Sequence, residues 1–252
     1  MTIAPICHVY RLGLTPYLEA WQLQKALVAD VQAGGPNRLL LLEHPPVYTS
    51  GRGGKQHFLP ENVPGAEVHR VDRGGDVTFH GPGQLVAYPI LNLGDRARDV
   101  VSYIRTLEQI VIDTLQDFDV SAIRIAGRPG VWIDEQRKIC AIGVRISRGV
   151  TSHGLALNVS TDLSWFDHIT PCGIADTTAT SLAEFLTEVP AVHEVQDRLV
   201  KHFARQFELE MHEREFVEAG HRLAAESLRP SFSSLSKVPT PAHTPSSVEA
   251  AA

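Results

Sequence analysis

The sequence lacks any apolar run long enough for a membrane-spanning helix. No stretch approaches the roughly 20 consecutive apolar residues that crossing a bilayer requires. The first twenty residues also lack a basic region followed by an apolar block, which is the pattern of a secretory signal. We therefore expect a cytoplasmic protein, and the 43% hydrophobic content is typical of a globular chain that buries a core.

The chain has few cysteines and no excess of positive charge. The chain has three cysteines, Cys7, Cys140 and Cys172, which are too few and too scattered for a disulfide framework. No Cys-x-x-Cys pair indicates a zinc or redox site. The formal net charge of −6 argues against general binding to nucleic acid. We expect a monomer that binds neither nucleic acid nor membranes.

Several motifs of other enzymes are also missing. The glycines of residues 51–55 do not have the phosphate-binding spacing that ends in Gly-Lys-Ser/Thr. His193 and His212 each begin a zinc-protease pattern, but Asp197 and Phe216 stand where the second histidine should be. No metal site is expected. No Ser-x-x-Lys or Gly-x-Ser-x-Gly motif offers a serine nucleophile.

The most unusual stretch that is present covers residues 73–84. Its four glycines and one proline bracket a short β-prone core, and glycine lets another molecule approach the backbone closely. A tight hairpin is the ordinary explanation, but the polar Arg73, Thr78, His80 and Gln84 favour a substrate cradle. His80 and His153 both flank glycines, and each is equally well explained as a pocket residue or as a hydrogen-bonded structural histidine.

Hydrophobic periodicity predicts an α+β domain, with a mixed β-sheet flanked by helices. Strands are predicted over residues 6–12, 39–42, 47–49, 68–71, 77–80, 85–91, 131–133, 138–147 and 150–159. Helices are predicted from a cap at Thr15 to about residue 33, and over residues 98–118, 181–186, 192–207 and 213–225. The composition turns to Ser, Pro, Thr and Ala after residue 226, so we predict a catalytic domain over residues 1–226 and a disordered tail over 227–252.

Cys172 is the preferred nucleophile, because a proline before it restricts the backbone and a glycine after it leaves the thiol uncrowded. A lone cysteine is more often a small buried thiol, which fits Cys7 in its apolar strand. Cys140 remains a competitor, since its side chain shares a strand face with that of Lys138. Lys138 enters an apolar strand, where desolvation would let it accept a thiol proton, although most lysines are solvated surface charges.

The candidate site residues lie in four motifs that are separated along the chain. They cover residues 73–84 (RGGDVTFHGPGQ), 138–144 (KICAIGV), 152–158 (SHGLALN) and 171–174 (PCGI). Together they resemble the lipoyl(octanoyl) transferase family, over most of residues 1–210. The resemblance implies the fold of the biotin and lipoate protein ligases. It also implies an acyltransferase that moves octanoyl from acyl carrier protein to a lysine of a lipoyl domain in lipoate biosynthesis.

The resemblance also assigns roles to individual residues. It makes Cys172 the thiol that carries the acyl group as a thioester and Lys138 the base that activates it, which decides against Cys140. Acyl contacts fall on the matching motif positions, with Gln84 and His153 as further possible pocket residues. These positions are Arg73, Gly74, Gly75, Asp76, Val77, Thr78, Phe79, His80, Ala141, Ile142, Gly143, Gly154, Leu155 and Ala156.

The expected partners are octanoyl-acyl carrier protein, the lipoyl domains of 2-oxoacid dehydrogenases and the glycine cleavage H protein. A thioester donor needs no ATP, so no cofactor is expected. Acidic partners suit a local basic patch, and Arg137, Arg145 and Arg148 are our hypothesis for it. Two alternatives are an ATP-dependent lipoate or biotin protein ligase and a non-catalytic carrier-binding protein of the same fold. A ligase needs no cysteine nucleophile, so the motif over 171–174 argues against the first, and the paired presence of Lys138 and Cys172 argues against the second.

Overall fold

The computed structural model describes residues 4–53, 63–169 and 177–215. Within these ranges the chain forms two β-sheets and three α-helices, none of them long and apolar enough to span a membrane. The strands are β1 (Ile6–Leu14), β2 (Asn37–Glu43), β3 (Val47–Ser50), β4 (Glu67–Arg70), β5 (Val77–His80), β6 (Gln84–Ile90), β7 (Ile123–Ile125), β8 (Arg128–Trp132), β9 (Arg137–Ser147), β10 (Val150–Asn158), β11 (Thr178–Ala179) and β12 (Glu210–Glu213). The helices are α1 (Tyr17–Gln32), α2 (Val100–Gln116) and α3 (Val192–Phe207).

The larger sheet is mixed, as the sequence predicts. Its strand order is β12-β1-β2-β6-β10-β9-β8-β7, with β11 pairing beside β9. Strand β1 is parallel to both of its neighbours, whereas the run from β2 to β7 is antiparallel. The smaller sheet has the order β4-β3-β5. The predicted α+β class is confirmed.

Strand β2 is a continuous apolar run because both of its faces are buried. Leu39 and Leu41 pack into the cluster that contains buried residues of α2 and α3. Leu40 and Leu42 alternate with them and pack into a second cluster, which contains α1. The large sheet is therefore covered by helices on both faces, so neither side of β2 can be polar.

The structure differs from the sequence prediction at several element ends. Helix α1 begins at Tyr17 after Pro16, and the hydroxyl of Thr15 donates to the Leu12 carbonyl instead of capping the helix. The predicted helix over 181–186 is a single 3₁₀ turn, Leu182–Glu184. The predicted helix over 213–225 is wrong at its start, because Glu213 ends strand β12. Residues 216–225 and the predicted tail 227–252 lie outside the described residues.

Strands β7, β11 and β12 are not predicted from the sequence. All three are short, with three, two and four residues, and β7 and β12 are the terminal strands of the large sheet. Strand β12 is largely polar, and it forms by pairing with β1, about 200 positions earlier in the chain. Local patterns do not reveal such pairings, because the partner strand supplies the hydrogen bonds.

Candidate active site

A cavity of about 270 Å³ lies between β5 with its preceding loop on one side and strands β9 and β10 on the other. This volume is close to the lower limit of small-molecule sites, roughly 300–1,000 Å³. Three of the four sequence motifs meet in its wall. Every predicted contact except Phe79 lines the cavity, and so do Gln84 and His153. The fourth motif, with Cys172, lies outside the described residues.

The glycine-rich loop packs directly on the backbone of β9. The Gly74 N–H donates to the carbonyl of Val144 at 2.9 Å. A Cβ atom on Gly143 would lie 2.9 Å from the Gly74 carbonyl oxygen, which is too close for any side chain. Arg73 secures the loop from the other side by donating to the carbonyl and hydroxyl oxygens of Thr49 at 2.7 and 2.9 Å. A Cβ atom on Gly74 would in turn lie 3.2 Å from the Val144 carbonyl oxygen, so glycine in both motifs permits this close packing.

A buried hydrogen-bond network begins at His80. Its Nδ1 donates to Oε1 of Gln84 at 2.8 Å, and Nε2 accepts from the hydroxyl of Thr49 at 3.3 Å. Burial, followed by the electrostatic interaction with neighbouring His44, lowers the pKa of His80 well below its ordinary value. His80 is therefore a neutral ring with a fixed tautomer.

The network continues to the strand that carries Lys138. Gln84 Nε2 donates to Oδ1 of Asn158 at 2.9 Å, and Asn158 Nδ2 donates to the Thr180 carbonyl at 2.9 Å. The Thr180 N–H in turn donates to the carbonyl of Lys138 at 3.0 Å. The glycine-rich segment and the backbone of Lys138 are thus linked through buried polar groups, which fixes their relative position.

Lys138 lines the cavity and is half-buried. Its Nζ lies 4.5 Å from the ring centroid of Trp132, a cation–π geometry, and Trp132 is fully buried. Gly130 allows β8 to pack closely on β9 beside this lysine, since a Cβ atom there would lie 2.6 Å from the Cys140 carbonyl oxygen. Lys138 is therefore held at the cavity wall and is not a solvated surface lysine.

The two cysteines in the described part of the chain are poor nucleophiles. Cys140 is fully buried, its Sγ donates to the Ala141 carbonyl at 3.5 Å, and burial raises the pKa of its thiol well above the ordinary value. Cys7 is also fully buried, and burial raises its thiol pKa to about 12. A thiol in such surroundings supplies almost no thiolate at neutral pH. Sequence reasoning alone had left Cys140 open.

A second histidine, His44, supports the inner end of the cavity. Its Nδ1 donates to the Thr15 carbonyl at 2.7 Å, and its Nε2 accepts from the hydroxyl of Tyr88 at 2.8 Å. Burial lowers the pKa of His44 to about 4. The ring of Tyr17 lies against both His44 and His80, with centroids 5.1 and 6.0 Å apart. Aromatic and neutral imidazole rings therefore form this end.

His153 is both a cavity residue and a structural one. Its Nε2 donates to Oδ1 of Asp72 at 2.8 Å, and its backbone N–H donates to Oε1 of Gln24 at 2.7 Å. Burial lowers the pKa of His153, although the Asp72 carboxylate opposes this shift. The other oxygen of Asp72 binds Arg145. The predicted docking residue Arg145 is therefore paired within the chain.

Phe79 lies in a separate aromatic cluster. Its ring stacks on that of Trp165 with centroids 5.3 Å apart and planes 4° from parallel. It is fully buried there and packs with Tyr48 beneath the small sheet. Neighbouring side chains of a strand point to opposite faces, so Phe79 points away from the face that carries Thr78 and His80. Val77 shares the face of Phe79 but lies at the start of β5, where it still lines the cavity. Phe79 therefore packs behind the cavity wall and does not line the cavity.

Sequence reasoning missed Asn158, Trp132 and Tyr17. Asn158 had a usable signal, because it is a polar residue at the end of an otherwise apolar strand motif. Trp132 and Tyr17 had none, since both lie outside the motifs. In the described ranges no three His, Cys, Asp or Glu side chains come together in a way that could hold a metal ion.

Comparison with known proteins shows the family to which the chain belongs. A model of the lipoyl protein ligase A/B catalytic domain matches residues 16–204. The octanoyltransferase of Syntrophotalea carbinolica is 49% identical over 194 residues, covering 76% of this chain and 90% of that protein. The octanoyltransferase of Rubrobacter xylanophilus is 52% identical over 189 residues, covering 71% and 83% respectively.

Solved structures show the same fold at low sequence identity. A putative lipoate protein ligase from Thermoplasma acidophilum is 19% identical with a TM-score of 0.71, covering 88% of this chain and 93% of that one. A bipartite lipoate protein ligase from the same organism, studied with its E2 lipoyl domain, has 20% identity and a TM-score of 0.72, covering 88% and 91%. The chain belongs to the lipoyl protein ligase A/B catalytic domain family. Within it the chain falls among the octanoyltransferases, which confirms the resemblance seen in its motifs.

Proposed function

We propose that the protein moves an octanoyl group from acyl carrier protein to a lysine of a lipoyl domain, through a thioester on Cys172 that Lys138 helps to form. Octanoyl transfer in lipoate biosynthesis follows from the relatives named octanoyltransferase, which match most of the chain. The proposal adds three points to this activity: the catalytic pair of Cys172 and Lys138, the acyl carrier protein as donor, and the lipoyl domain as acceptor. It also includes a catalytic domain over residues 1–226, a monomer and a cytoplasmic location.

The position of Lys138 at the cavity is the observation that carries the proposal. Strand β11 pairs with β9 in such a way that Ala179 is the partner of Lys138. Thr177, the first described residue after Cys172, also lines the cavity, as does Phe166, six residues before Cys172. The described chain thus reaches the cavity on both sides of the motif that contains Cys172. This supports Cys172 as the nucleophile that uses Lys138.

The apolar part of the cavity suits a short acyl chain. Val100, Ile104, Ile142, Val144 and Leu155 contribute to the wall. Each methylene transferred from water to such surroundings contributes about 0.8 kcal/mol. The polar Lys138 and Asn158 also line the cavity, and they can lie beside the carbonyl while the hydrocarbon lies along the apolar wall.

The chemistry is two successive acyl transfers. Lys138 takes the proton of Cys172, and the thiolate attacks the acyl carbonyl of the donor thioester. A new C–S bond forms, the old one breaks, and the carrier thiolate leaves with the proton from Lys138. In the second step the neutral acceptor amine attacks the Cys172 thioester. The C–N bond of the amide forms, the C–S bond breaks, and Lys138 passes the proton of the amine to the departing Cys172 thiolate.

The donor requirement tests this function against the ATP-dependent alternative. Purified enzyme and a lipoyl domain are mixed either with octanoyl-acyl carrier protein alone or with free octanoate and MgATP. Mass spectrometry of the lipoyl domain then follows addition of the octanoyl group. We expect modification with the carrier donor without ATP. Modification only with octanoate and ATP would establish a ligase and contradict the proposal.

A further inference from the structure

We infer that the acyl carrier protein docks on a surface formed by the start of α2 and the β7–β8 hairpin. This inference rests on the proposed function, because it concerns how that donor reaches the cavity. The surface, called the docking surface below, combines exposed apolar side chains with arginines. It consists of Val100, Val101, Arg105, Ile123, Arg124 and Arg128.

The docking surface is continuous with the cavity. Val100 lines the cavity and is also 41% exposed, so it belongs to both. Pro129, which follows Arg128 in β8, lines the cavity as well. The guanidinium of Arg128 lies 5.9 Å from the ring of Trp132, the residue that contacts Lys138. A partner on this surface would therefore stand next to the reactive end of the cavity.

The apolar part of the docking surface is exposed in the described structure. The amphipathic pattern of α2 predicts that Val101 is buried with Leu107 and Val111, but Val101 is 67% exposed. Ile123 in β7 is 43% exposed. The apolar stripe of α2 thus extends beyond the core toward the cavity opening. Exposed apolar side chains beside a binding cavity are typical of a contact surface.

The charged part is positive although the whole chain is negative. Arg105 and Arg124 share one buried carboxylate, Glu108, with N–O distances of 2.7 and 3.4 Å. Arg124 also donates to the Arg105 carbonyl at 3.3 Å, which joins β7 to α2. Two guanidinium groups with one carboxylate leave a net positive charge. Arg128 adds another, since its bond at 3.1 Å goes to the backbone carbonyl of Glu135.

The arginines that the sequence suggested are less suitable for docking. Arg145 pairs with Asp72, and Arg148 donates to the side chain of Gln32. Arg145 lies seven residues along β9 from Lys138, about 23 Å at ~3.3 Å per residue. Arg137 is paired with Asp134 at 2.7 Å. Their charges are already compensated or far from Lys138, whereas the docking surface is adjacent to it.

An acidic carrier fits this combination. Positive charge attracts and orients an acidic partner, while the central apolar side chains supply contact area. The carrier must also pass its acyl thioester into the cavity while remaining bound outside it. A surface contiguous with the cavity through Val100 and Pro129 meets this requirement.

The test measures carrier binding to three forms of the full-length protein. These are the wild type, Val101→Glu, and Ile6→Glu as the matched control. Ile6 is 41% exposed on β1, six strand positions from β7 in the sheet, which is about 29 Å at ~4.8 Å per strand. Fluorescently labelled holo acyl carrier protein without an acyl group is titrated, and anisotropy gives Kd at low and high salt.

We expect Val101→Glu to raise Kd about tenfold, because it places a negative charge against an acidic partner, and Ile6→Glu to leave Kd unchanged. Wild-type Kd should rise with salt. Equal Kd values for Val101→Glu and the wild type would overturn the inference. So would a loss of affinity for a lipoyl domain without a loss for the carrier.

Acylation assays separate a failure of docking from a failure of the proposed function. Acylation of Cys172 is measured from octanoyl-acyl carrier protein and from a small octanoyl thioester. We expect Val101→Glu to raise KM for the carrier donor and not for the small one. Wild-type protein that binds the carrier in the predicted manner but accepts octanoyl from neither donor would contradict the function and leave the docking result standing.

Discussion

Gln84 donates a 2.9 Å hydrogen bond to the side chain of Asn158, and this contact joins two motifs that lie 74 positions apart in the chain. Both side chains are buried, so the bond is shielded from water. Asn158 also donates to the Thr180 carbonyl, and Thr180 donates to Lys138. The wall of the cavity and the strand that carries the proposed base are positioned by one network.

The first prediction concerns this network. Asn158→Ala leaves the amide of Gln84 and the carbonyl of Thr180 without their buried partner, which costs about 1–3 kcal/mol of unfolding free energy. We also expect slower octanoyl transfer, since β11 loses its link beside Lys138. Urea unfolding and transfer rates measure the two effects. Asn92→Ala, at an exposed asparagine, is the control, and equal behaviour of the two variants would argue against the network.

The second prediction concerns the contact between the glycine-rich loop and β9. Gly143→Ala places a Cβ atom 2.9 Å from the Gly74 carbonyl, so the loop must move and octanoyl transfer should fall at least about tenfold. Gly13→Ala is the control, because Gly13 has a φ of 63° but open space around its Cβ position. It should cost stability through backbone strain and leave transfer intact. Full activity in Gly143→Ala would show that the loop tolerates displacement.

The third prediction is a pH dependence of stability that comes from His44. Its pKa is about 4 in the folded protein, against 6.5 as its ordinary value. The unfolded chain therefore binds more protons between these values, and stability falls as the pH drops from about 6.5 toward 4. The full loss from this residue is about 3 kcal/mol.

His44→Gln removes this titration. Between about pH 7 and pH 5 the variant should lose about 2 kcal/mol less unfolding free energy than the wild type does. The comparison uses urea unfolding at several pH values. His80, whose pKa is lowered in the same direction mainly by its own burial, is present in both proteins. Parallel pH curves for the two proteins would mean that His44 is not held neutral.

The fourth prediction tests the contact between Trp132 and Lys138. Trp132→Phe and Trp132→Leu both remove volume at a buried position, but only the phenylalanine keeps an aromatic face for the Lys138 Nζ. An aromatic face stabilises the ammonium that forms when Lys138 takes the thiol proton by about 0.5–2 kcal/mol, so acylation should be about fivefold faster in the phenylalanine variant than in the leucine variant. Thermal unfolding of both variants provides the stability control. Identical acylation rates would assign Trp132 a packing role only.

The sequence predicts the regular core of this fold because that core is built from local patterns. Helix α3 has the predicted bounds, and α2 differs by two residues at each end. The apolar spacing alone identifies both. Strand β12 escapes prediction because its partner, β1, lies at the other end of the described chain, and its own residues alternate weakly.

The candidate site is predictable only in part, for a similar reason. Gly74, Gly143 and Gly154 stand out in the sequence, but glycine does not reveal what approaches it. For Gly154 the neighbour is the protein itself, since a Cβ would lie 2.1 Å from the Ala87 carbonyl. Trp132 faces Lys138 through strand pairing, and neither the motif around Lys138 nor the sequence near Trp132 contains that information.

The most direct test of the central claim is the intact mass of the protein after mixing with octanoyl-acyl carrier protein in the absence of acceptor. Wild type, Cys172→Ser and Cys140→Ala are compared, with Cys140→Ala as the matched loss of a buried thiol. The account predicts one octanoyl adduct in the wild type and in Cys140→Ala, sensitive to hydroxylamine as a thioester is, and no thioester adduct in Cys172→Ser. A hydroxylamine-sensitive adduct that persists in Cys172→Ser, or is lost in Cys140→Ala, would contradict it.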